Sequence, residues 1–451
     1  MSETIVLKKG LTLPITGSAE KRLSKTVLGD RIAVMPDDFK GLLPRLLVKE
    51  GDRVLAGSAV ISDKKNPDVL VTSPVSGVVE KVVRGDKRKL LAVVITPDTD
   101  QQWASFDVKD PSDMSDSEVK NTLLSSGLWL FLKQRPYGII ANPELTPKGI
   151  FVSAFNSTPG AADLDFALAD EVKFVQKGID ALSRIAPVHV SFNAETVANS
   201  PLGRLDGVQK HYFKGRCPAG NVGVQISHIS PIKKDETVWT ITLAGLAAIG
   251  KLFSNGKVDM RRLVAVSGPM AIEPAYVSAL PGTAMSEFKP FYGGNAEGLR
   301  IVSGDVLTGR NAGEDGFLSF TDDTVTLIKE GTEKELLGWV KPLRLNQYST
   351  DHCYFSWLFP SKRYDMDTNI HGGPRAFVMS DSYYSKVLPM DIYPLYLIKA
   401  CLAGNIEGME KYGIYEVLPE DLAACEFVDP SKNNIQDIIA KGIDLMLKEM
   451  A

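Results

Sequence analysis

Short apolar runs separated by turns dominate the first hundred residues. Such runs occur at Ile32-Ala33-Val34, at Leu46-Leu47-Val48 and between Val78 and Val83. Short apolar runs bounded by glycine, proline and asparagine turns are typical of β-strands. The pattern therefore predicts an all-β domain over residues 1–96.

Residues 97–116 form an acidic, polar stretch that is predicted to be a linker. After this linker, the apolar residues recur at the longer spacing of a helix. Ser115 and Glu118 have the spacing of a helix capping box, so a helix should begin there, run through Leu130 and end before Pro136. Apolar positions at helical spacing then fill residues 161–185, between apolar runs at 150–155 and 188–192. This β-α-β order, with a further strand and helix over 237–253, predicts a Rossmann-like α/β domain at residues 117–260.

The last part of the chain changes pattern twice. Over residues 261–340 the runs shorten again between turns such as Ser267-Gly268-Pro269, which predicts a small, mixed, β-grasp-like module. Residues 341–451 are predicted to be a connecting segment and a helical C-terminal domain, whose last helix carries Ile435, Ile439 and Ile443 on one face for packing. The predicted fold class is thus a multidomain α/β protein.

Composition narrows the possible functions. The 451 residues have a net charge of −4, which argues against a nucleic-acid-binding protein because phosphate contacts need clustered lysine and arginine. The first residues lack the charged and apolar regions of a secretory signal. The longest apolar stretch, at residues 241–249, is too short to span a bilayer, so no transmembrane helix is expected.

Cysteine and histidine spacing gives no cofactor site. No Cys-x-x-Cys pair occurs, which favours a reduced cytosol and argues against an iron–sulfur cluster or a zinc ribbon. The histidines show no paired spacing of metal ligands either. These residues are Cys217, Cys353, Cys401, Cys425, His189, His211, His228, His352 and His371.

Three glycine-containing segments resemble ligand loops only in part. Gly245 and Lys251 have the spacing of a phosphate-binding P-loop, but Leu252 stands where that loop needs serine or threonine, so a plain helix is predicted. The β-α-β unit has Asn156-Ser157-Thr158-Pro159-Gly160 in place of Gly-x-Gly-x-x-Gly, which argues against direct NADH binding. The loop at residues 216–223 could approach a ligand or could be a reverse turn.

Residues 51–79 have nearly the frame of a lipoyl- or biotin-carrying β-sandwich. A carrier domain puts one lysine on a tight hairpin about midway between its second glycine and a Ser-Pro pair. Here Lys64 falls early, Lys65 follows it, and Asn66-Pro67 makes a turn in a different register. The sequence predicts a lipoyl- or biotinyl-like domain without its carrier lysine. An adduct on Lys64 or Lys65 is the alternative.

Three aromatic residues are candidates for a ligand site. Phe39, Trp129 and Tyr137 lie beside apolar segments bounded by proline. Planar aromatic rings can stack on a quinone or flavin ring, and they can equally fill a core.

Nine blocks spread over almost the whole chain resemble the A-subunit family of the bacterial Na⁺-translocating NADH:quinone reductases. The blocks are residues 5–15, Asp63-Lys64-Lys65-Asn66-Pro67, Ser126-Gly127-Leu128-Trp129, Arg135-Pro136-Tyr137, Pro218-Ala219-Gly220, Val238-Trp239, residues 304–309, residues 333–339 and residues 420–430.

The resemblance implies a peripheral subunit of a respiratory sodium pump, on the cytoplasmic face of the bacterial inner membrane. It implies quinone as the substrate and places NADH, flavins and iron–sulfur clusters in partner subunits. The family motifs identify no quinone contacts, so Phe39, Trp129 and Tyr137 are candidate contacts on the basis of their apolar, proline-bounded surroundings alone. The main partner would be the membrane-embedded quinone and flavin subunit. It also implies kinship of residues 117–260 with the flavin-binding subunit of complex I, although no glycine-rich flavin loop is present.

No catalytic residue, metal ligand or bound flavin, cluster or covalent cofactor is predicted in this chain. Two alternatives stay open. One is an Rnf-type electron-transfer subunit that has lost its cofactors, and the other is a lipoyl- or biotin-type carrier protein.

Overall fold

A computed structural model describes residues 3–333, 344–350, 352, 354–370 and 380–449. Most of the block at residues 333–339, together with Cys353 and His371, lies outside these ranges.

The strands are β1 Thr4–Val6, β2 Leu23–Thr26, β3 Ile32–Val34, β4 Pro44–Leu46, β5 Arg53–Val54, β6 Ala59–Asp63, β7 Leu70–Thr72, β8 Gly77–Arg84, β9 Leu90–Pro97, β10 Lys133–Arg135, β11 Ile139–Ile140, β12 Ile150–Ser153, β13 Val188–Asn193, β14 Gln209–Lys214, β15 Val238–Thr240, β16 Arg262–Ser267, β17 Ala275–Ala279, β18 Leu299–Ser303, β19 Arg310–Asn311 and β20 Thr324–Lys329. The helices are α1 Asp116–Ser125, α2 Leu164–Ala167, α3 Val172–Leu182, α4 Val222–Ile229, α5 Leu243–Asn255, α6 Asp381–Val387, α7 Pro394–Ala403, α8 Ile406–Tyr412, α9 Ala423–Val428 and α10 Ile435–Glu449.

Two small antiparallel sheets form the first domain. One has the strand order β3-β9-β8-β5 and the other β4-β6-β7. Residues of these strands, including Ile32, Val60 and Val93, are fully buried in the core. The β-rich start of the chain therefore folds as a sandwich, because the strands bury apolar side chains between the two sheets.

The first two strands leave this sandwich. β1 pairs in parallel with β14 of the α/β domain. β2 pairs in parallel with β17 of the third domain. The region predicted as domain 1–96 thus contains two strands that extend the sheets of other domains.

The second domain is an α/β layer structure. Its sheet has the order β1-β14-β13-β12-β15-β10-β11. The strands from β1 to β15 in that order are parallel, and β10 and β11 complete the edge antiparallel. The predicted β-α-β unit is present as β12, α3 and β13.

Two helix predictions in this domain are wrong in their bounds. The capping box of Ser115 and Glu118 is present, but α1 ends at Ser125 because Gly127 turns the chain with a φ of 75°. The single helix expected over 161–185 is split into α2 and α3. Glu171, which lies between them, leaves helical geometry, and its carboxylate lies 2.6 Å from the Lys251 ammonium of α5.

The third sheet and the C-terminal helices complete the chain. The sheet order is β19-β18-β20-β16-β17-β2. Helices α6 to α10 pack on the α/β domain through one continuous apolar cluster, in which Phe213 and Val224 belong to the same core as Leu418 and Ile439. Among the described residues, no helix is long and apolar enough to cross a membrane.

Candidate functional site

Phe39 and Tyr137 line the same cleft, which has a volume of ≈ 720 Å³. This size is within the range of small-molecule sites. Trp129 does not line it. The Trp129 side chain is fully buried, its indole N–H donates to the Ala141 carbonyl at 2.7 Å, and its ring packs edge-on against Trp239.

Three parts of the chain form the walls of the cleft. The sandwich contributes a loop after β3, the α/β domain contributes the β10–β11 hairpin, and the helical domain contributes residues around Leu418 and α10. The lining residues are Pro36, Asp37, Phe39, Lys40, Gly41, Leu42, Leu43, Pro44, Lys89, Leu90, Lys133, Tyr137, Gly138, Leu418, Pro419, Glu420, Ala440 and Asp444. The cleft therefore forms where these three domains meet.

Direct contacts hold the walls together. The Ile140 backbone N–H donates to the Lys40 carbonyl at 3.1 Å, which joins the sandwich loop to the hairpin. The Lys40 ammonium lies 3.0 Å from the Asp444 carboxylate of α10, which ties the same loop to the helical domain. Lys40 thus contacts both neighbouring walls, one through its backbone and one through its side chain.

The hairpin turn sets the position of the Tyr137 ring. Tyr137 has a φ of 83° and Gly138 a φ of 66°, which is the left-handed region that favours glycine. A Cβ at Gly138 would lie 2.9 Å from a Leu418 methyl group, so the turn sits directly against the helical domain. The Tyr137 ring packs against Tyr415 at 6.3 Å between centroids.

Hydrogen bonds continue from Tyr137 to the protein surface. The Tyr137 side chain is hydrogen-bonded to Tyr415, and burial raises the pKa of Tyr137. The Tyr415 hydroxyl donates to the Glu410 carboxylate, which also accepts from Lys234 at 2.9 Å. This polar chain runs from the cleft to a second depression lined by Lys234, Glu410 and Glu416.

Arg135, two residues before Tyr137, is a buried charge at the domain junction. Its guanidinium is only 2% exposed and donates to Asp421 at 2.8 Å and to Glu420 at 3.0 Å. Burial lowers the Arg135 pKa, but attraction to the two carboxylates outweighs this and the pKa is raised. The pairs join β10 to the segment just before α9.

Gly223 makes room for this buried pair. A Cβ at this position of α4 would lie 2.3 Å from the Arg135 guanidinium and 2.3 Å from the Asp421 carboxylate. The loop predicted at residues 216–223 therefore faces an internal ion pair. Cys217 in the same loop is buried, which raises the pKa of its thiol to about 11 and keeps it protonated.

The P-loop spacing has a structural explanation. Residues Gly245 to Lys251 lie within α5, as the plain-helix prediction required. The Lys251 ammonium is buried, donates to the Arg261 carbonyl at 3.0 Å and pairs with Glu171 at 2.6 Å. Lys251 therefore ties α5 to its neighbours rather than facing a phosphate.

One histidine pair was not predicted from the sequence. His189 of β13 and His211 of β14 lie on neighbouring strands, with their ring nitrogens 3.1 Å apart. Burial and the neighbouring His211 lower the pKa of His189 to about 4. The strand that carries His211 was not predicted from the sequence. The separation of 22 residues between the two histidines could therefore not reveal the pair. Within the described ranges, no group of three or more potential metal ligands is found.

The carrier-lysine hypothesis can be tested at the β6–β7 turn. Lys64 and Lys65 are exposed there, but the Lys64 N–H donates to the Leu43 carbonyl at 2.8 Å and Asp63 accepts from the Lys65 N–H at 3.2 Å, so the turn is tied to the protein body. We expect both lysines to be unmodified by intact mass. We also expect Lys64→Ala with Lys65→Ala to keep complex turnover within about three-fold of the parent, because surface changes cost little. A mass increase of one lipoyl or biotinyl group would establish the carrier function instead.

Glu416, in the second depression, should make stability depend on pH. Burial and the nearby Asp391 raise the pKa of Glu416 to about 7, from an ordinary value of 4.5. The folded protein therefore keeps a proton that the unfolded chain has released, so the free energy of unfolding falls as the pH rises from about 5 to about 8. Glu416→Gln cannot ionise, so its free energy of unfolding should fall by about 1–2 kcal/mol less than that of the parent over this range. This figure allows for the partial exposure of Glu416.

Urea unfolding at about pH 5 and about pH 8, on either side of this pKa, measures the difference. Glu407→Gln, an exposed position lining the same depression, is the matched control and should follow the parent at both pH values. Equal pH dependence in Glu416→Gln and the parent would contradict the raised pKa.

Together these features define a class of protein. The chain is a multidomain α/β protein with a sandwich domain at its start, an α/β domain after it, and a ligand-sized cleft where both meet a helical domain.

Comparison with known proteins identifies the family within this class. The family model for the NqrA N-terminal barrel-sandwich hybrid domain matches residues 5–98, that for the NqrA second alpha/beta domain matches 114–258, and that for the NQRA C-terminal domain matches 263–314. The A subunit of the Na(+)-translocating NADH-quinone reductase of Rhodopirellula baltica is 35% identical over 448 residues, covering 98% of each chain. The corresponding A subunits of Yersinia pestis bv. Antiqua (36% identical, 95% of this chain and 96% of the relative) and Haemophilus influenzae strain 86-028NP (34% identical, 99% and 100%) are similarly related.

The chain therefore belongs to the A-subunit family of the Na⁺-translocating NADH:quinone reductases. The resemblance stated from the nine sequence blocks is confirmed.

Proposed function

We propose that this chain is the quinone-associated peripheral subunit of a respiratory sodium pump, which couples NADH oxidation and quinone reduction to Na⁺ translocation. The relatives described above are A subunits of that enzyme, and each matches this chain over nearly its full length. In this proposal it docks at the cytoplasmic face of the bacterial inner membrane, chiefly on the membrane-embedded quinone and flavin subunit. NADH, flavins and iron–sulfur clusters belong to the partner subunits.

We further propose that the quinone ring occupies the cleft between Phe39 and Tyr137. The observation that supports this is that two aromatics singled out from the sequence, far apart along the chain, line one cleft of ≈ 720 Å³. Leu42, Leu90 and Lys133 also line the cleft, and in this proposal the Lys133 ammonium donates a hydrogen bond to a quinone carbonyl. An apolar slot with a few polar groups is typical of small-molecule sites.

Trp129, the third candidate, would act differently in this proposal. It is fully buried and bonds to Ala141, just after the hairpin that carries Tyr137. We propose that it supports the position of the cleft wall instead of stacking on the ring. Its replacement by alanine should then lower stability more than quinone affinity.

We also propose how the chain divides into domains, with divisions at residues 1–96, 97–116, 117–260, 261–340 and 341–451. The first three folded parts are proposed to have lipoyl-like, Rossmann-like and β-grasp-like folds. In this proposal the fold of a cofactor-binding ancestor is used without its cofactor, as the apolar helix at Gly245 and the displaced Lys64 support.

Quinone titration of the reconstituted complex tests the proposed site. Losing one stacking ring should cost about 1 kcal/mol, so Phe39→Ala and Tyr137→Ala should each raise the apparent quinone KM about five-fold and leave NADH oxidation by the partner subunits intact. Both side chains are also buried against the protein, so the KM is compared only for variants whose thermal unfolding shows a folded chain. Tyr137→Phe keeps the ring and should keep the KM. Tyr393→Ala, an exposed aromatic on the helical domain, is the control.

A photoreactive quinone gives an independent readout. Labelled peptides should contain residues 36–44 or 133–138. If all variants keep the parent KM and only partner subunits are labelled, the chain is structural and the cleft is not a quinone site.

A further inference from the structure

A short surface turn presents its apolar side chains outward and its polar side chain inward. In the 3₁₀ turn Phe355–Leu358, Phe355 is 41% exposed, Trp357 51% and Leu358 51%, and the next residue, Phe359, is 49% exposed. Ser356, between them, is buried. Contiguous exposed apolar surface of this kind marks a site that contacts a partner or a membrane.

The inverted orientation is fixed by hydrogen bonds. The Ser349 N–H donates to the Ser356 hydroxyl at 3.2 Å, and the same hydroxyl donates to the Ser349 carbonyl at 3.3 Å. The Tyr354 N–H donates to the Ser349 hydroxyl at 3.3 Å. Because the serine is anchored inside, its aromatic and aliphatic neighbours point away from the protein.

The base of the turn is attached to the body of the molecule. The Tyr364 N–H donates to the Pro14 carbonyl at 2.7 Å, and the Tyr364 ring is buried. The Arg363 guanidinium donates to the Ile15 carbonyl at 3.2 Å. The exposed residues therefore project from a fixed point next to the chain segment before β2.

The charge beside the apolar group is positive. Residues 354–363 contain Lys362 and Arg363 and no carboxylate, and the next carboxylate along the chain, Asp365, accepts a hydrogen bond from the Thr16 hydroxyl. Lys362 donates to the Leu345 carbonyl at 3.0 Å and to the Asn346 side chain at 2.9 Å. Neither cation forms an ion pair with a described residue. Their charge is therefore available to an anionic partner.

We propose that residues 355–363 insert into the interface of an anionic lipid bilayer. Trp357, Leu358 and Phe359 would enter the boundary between headgroups and acyl chains, as tryptophan and other aromatics do at membrane interfaces. Lys362 and Arg363 would lie at the level of the lipid phosphates, where basic residues are attracted by the negative surface potential. The charge complementarity selects a lipid surface over an apolar face of a protein partner, which would leave both cations without a counter-charge.

This inference does not rest on quinone binding, since it concerns the purified full chain and lipid vesicles alone. The experiment is co-sedimentation with vesicles of phosphatidylglycerol and phosphatidylcholine, compared with pure phosphatidylcholine. The parent should bind the anionic vesicles about ten-fold more tightly than the neutral ones, or more. Trp357→Ser and Phe359→Ser should each weaken this binding about ten-fold, whereas Trp357→Phe should restore most of it.

Two controls separate membrane insertion from unfolding or from general stickiness. Tyr393→Ser changes an exposed aromatic elsewhere and should bind as the parent does. Lys362→Gln with Arg363→Gln should reduce binding to anionic vesicles and leave the weak binding to neutral vesicles unchanged. Thermal unfolding of the Trp357, Phe359 and Tyr393 variants should match the parent, since these side chains are exposed. In the double glutamine variant, thermal unfolding measures the effect of losing the hydrogen bonds to Leu345, Asn346 and Ile15.

Fluorescence locates the turn directly. Vesicle binding should shift the tryptophan emission to shorter wavelength, brominated lipid should quench it, and both effects should be lost in Trp357→Phe. Equal binding of Trp357→Ser, Phe359→Ser and the parent would overturn the proposal. Absence of vesicle binding, with the same variants failing only to assemble with the partner subunits, would overturn it in favour of a protein contact.

Discussion

Arg135→Ala should destabilise the protein by about 3–5 kcal/mol, because it leaves the carboxylate of Asp421 buried without its partner. Asp421 is fully buried and Arg135 is 2% exposed, so water cannot replace the guanidinium. Glu420 loses its partner in the same variant. The effect should appear as a lower urea midpoint and as early separation of the helical domain, which these pairs join to the β10–β11 hairpin.

Arg53→Ala is the matched control for this prediction. The Arg53 guanidinium donates to both oxygens of Asp98 at 2.8 Å, but its side chain is 67% exposed. An exposed ion pair contributes at most about 1 kcal/mol. If Arg135→Ala lowers the free energy of unfolding no more than Arg53→Ala does, burial does not strengthen the Arg135–Asp421 pair. The helical domain is then held by its apolar contacts alone.

Gly250→Ala should destabilise the protein by about 3 kcal/mol or more, against the usual gain of about 1 kcal/mol for alanine in a helix. Helices α3 and α5 touch through their backbones at two glycines. A Cβ at Gly250 would lie 1.8 Å from the Phe174 carbonyl oxygen, and a Cβ at Gly178 would lie 2.2 Å from that of Leu246. No rotamer change can relieve a clash with backbone, so the helices must separate and lose their packing.

Ala244→Gly provides the control in the same helix. It makes the opposite exchange at a half-buried position and should cost about 1 kcal/mol or less through backbone entropy alone. Thermal unfolding of both variants measures the contrast. A Gly250→Ala protein as stable as the parent would show that the helices are not in backbone contact.

The candidate cleft was predictable only in part. Phe39 and Tyr137 each lie beside a proline-bounded apolar segment, and both line the cleft. Trp129 meets the same criterion but does not line the cleft, although all three side chains are buried. The pattern around an aromatic residue shows that it packs against something apolar, but whether that surface is core or cleft depends on segments far away in the chain.

Family and domain order followed from the sequence itself. The nine blocks indicated the family, and local rules predicted the β-rich start, the capping box at Ser115, the β-α-β unit and the helical end. These features depend on neighbouring residues, through side-chain periodicity and hydrogen bonds over three or four positions, and the sequence contains that information directly.

Only the tertiary structure decided which distant residues meet. It moved β1 and β2 into other sheets, paired His189 with His211, buried Lys251 against Glu171, and joined Arg135 to Asp421 across 286 positions. Each of these contacts involves a strand edge or a polar group whose partner is not marked by spacing. Their stability comes from strand pairing, burial and charge pairing that arise when the domains pack together, and no local pattern in the chain encodes them.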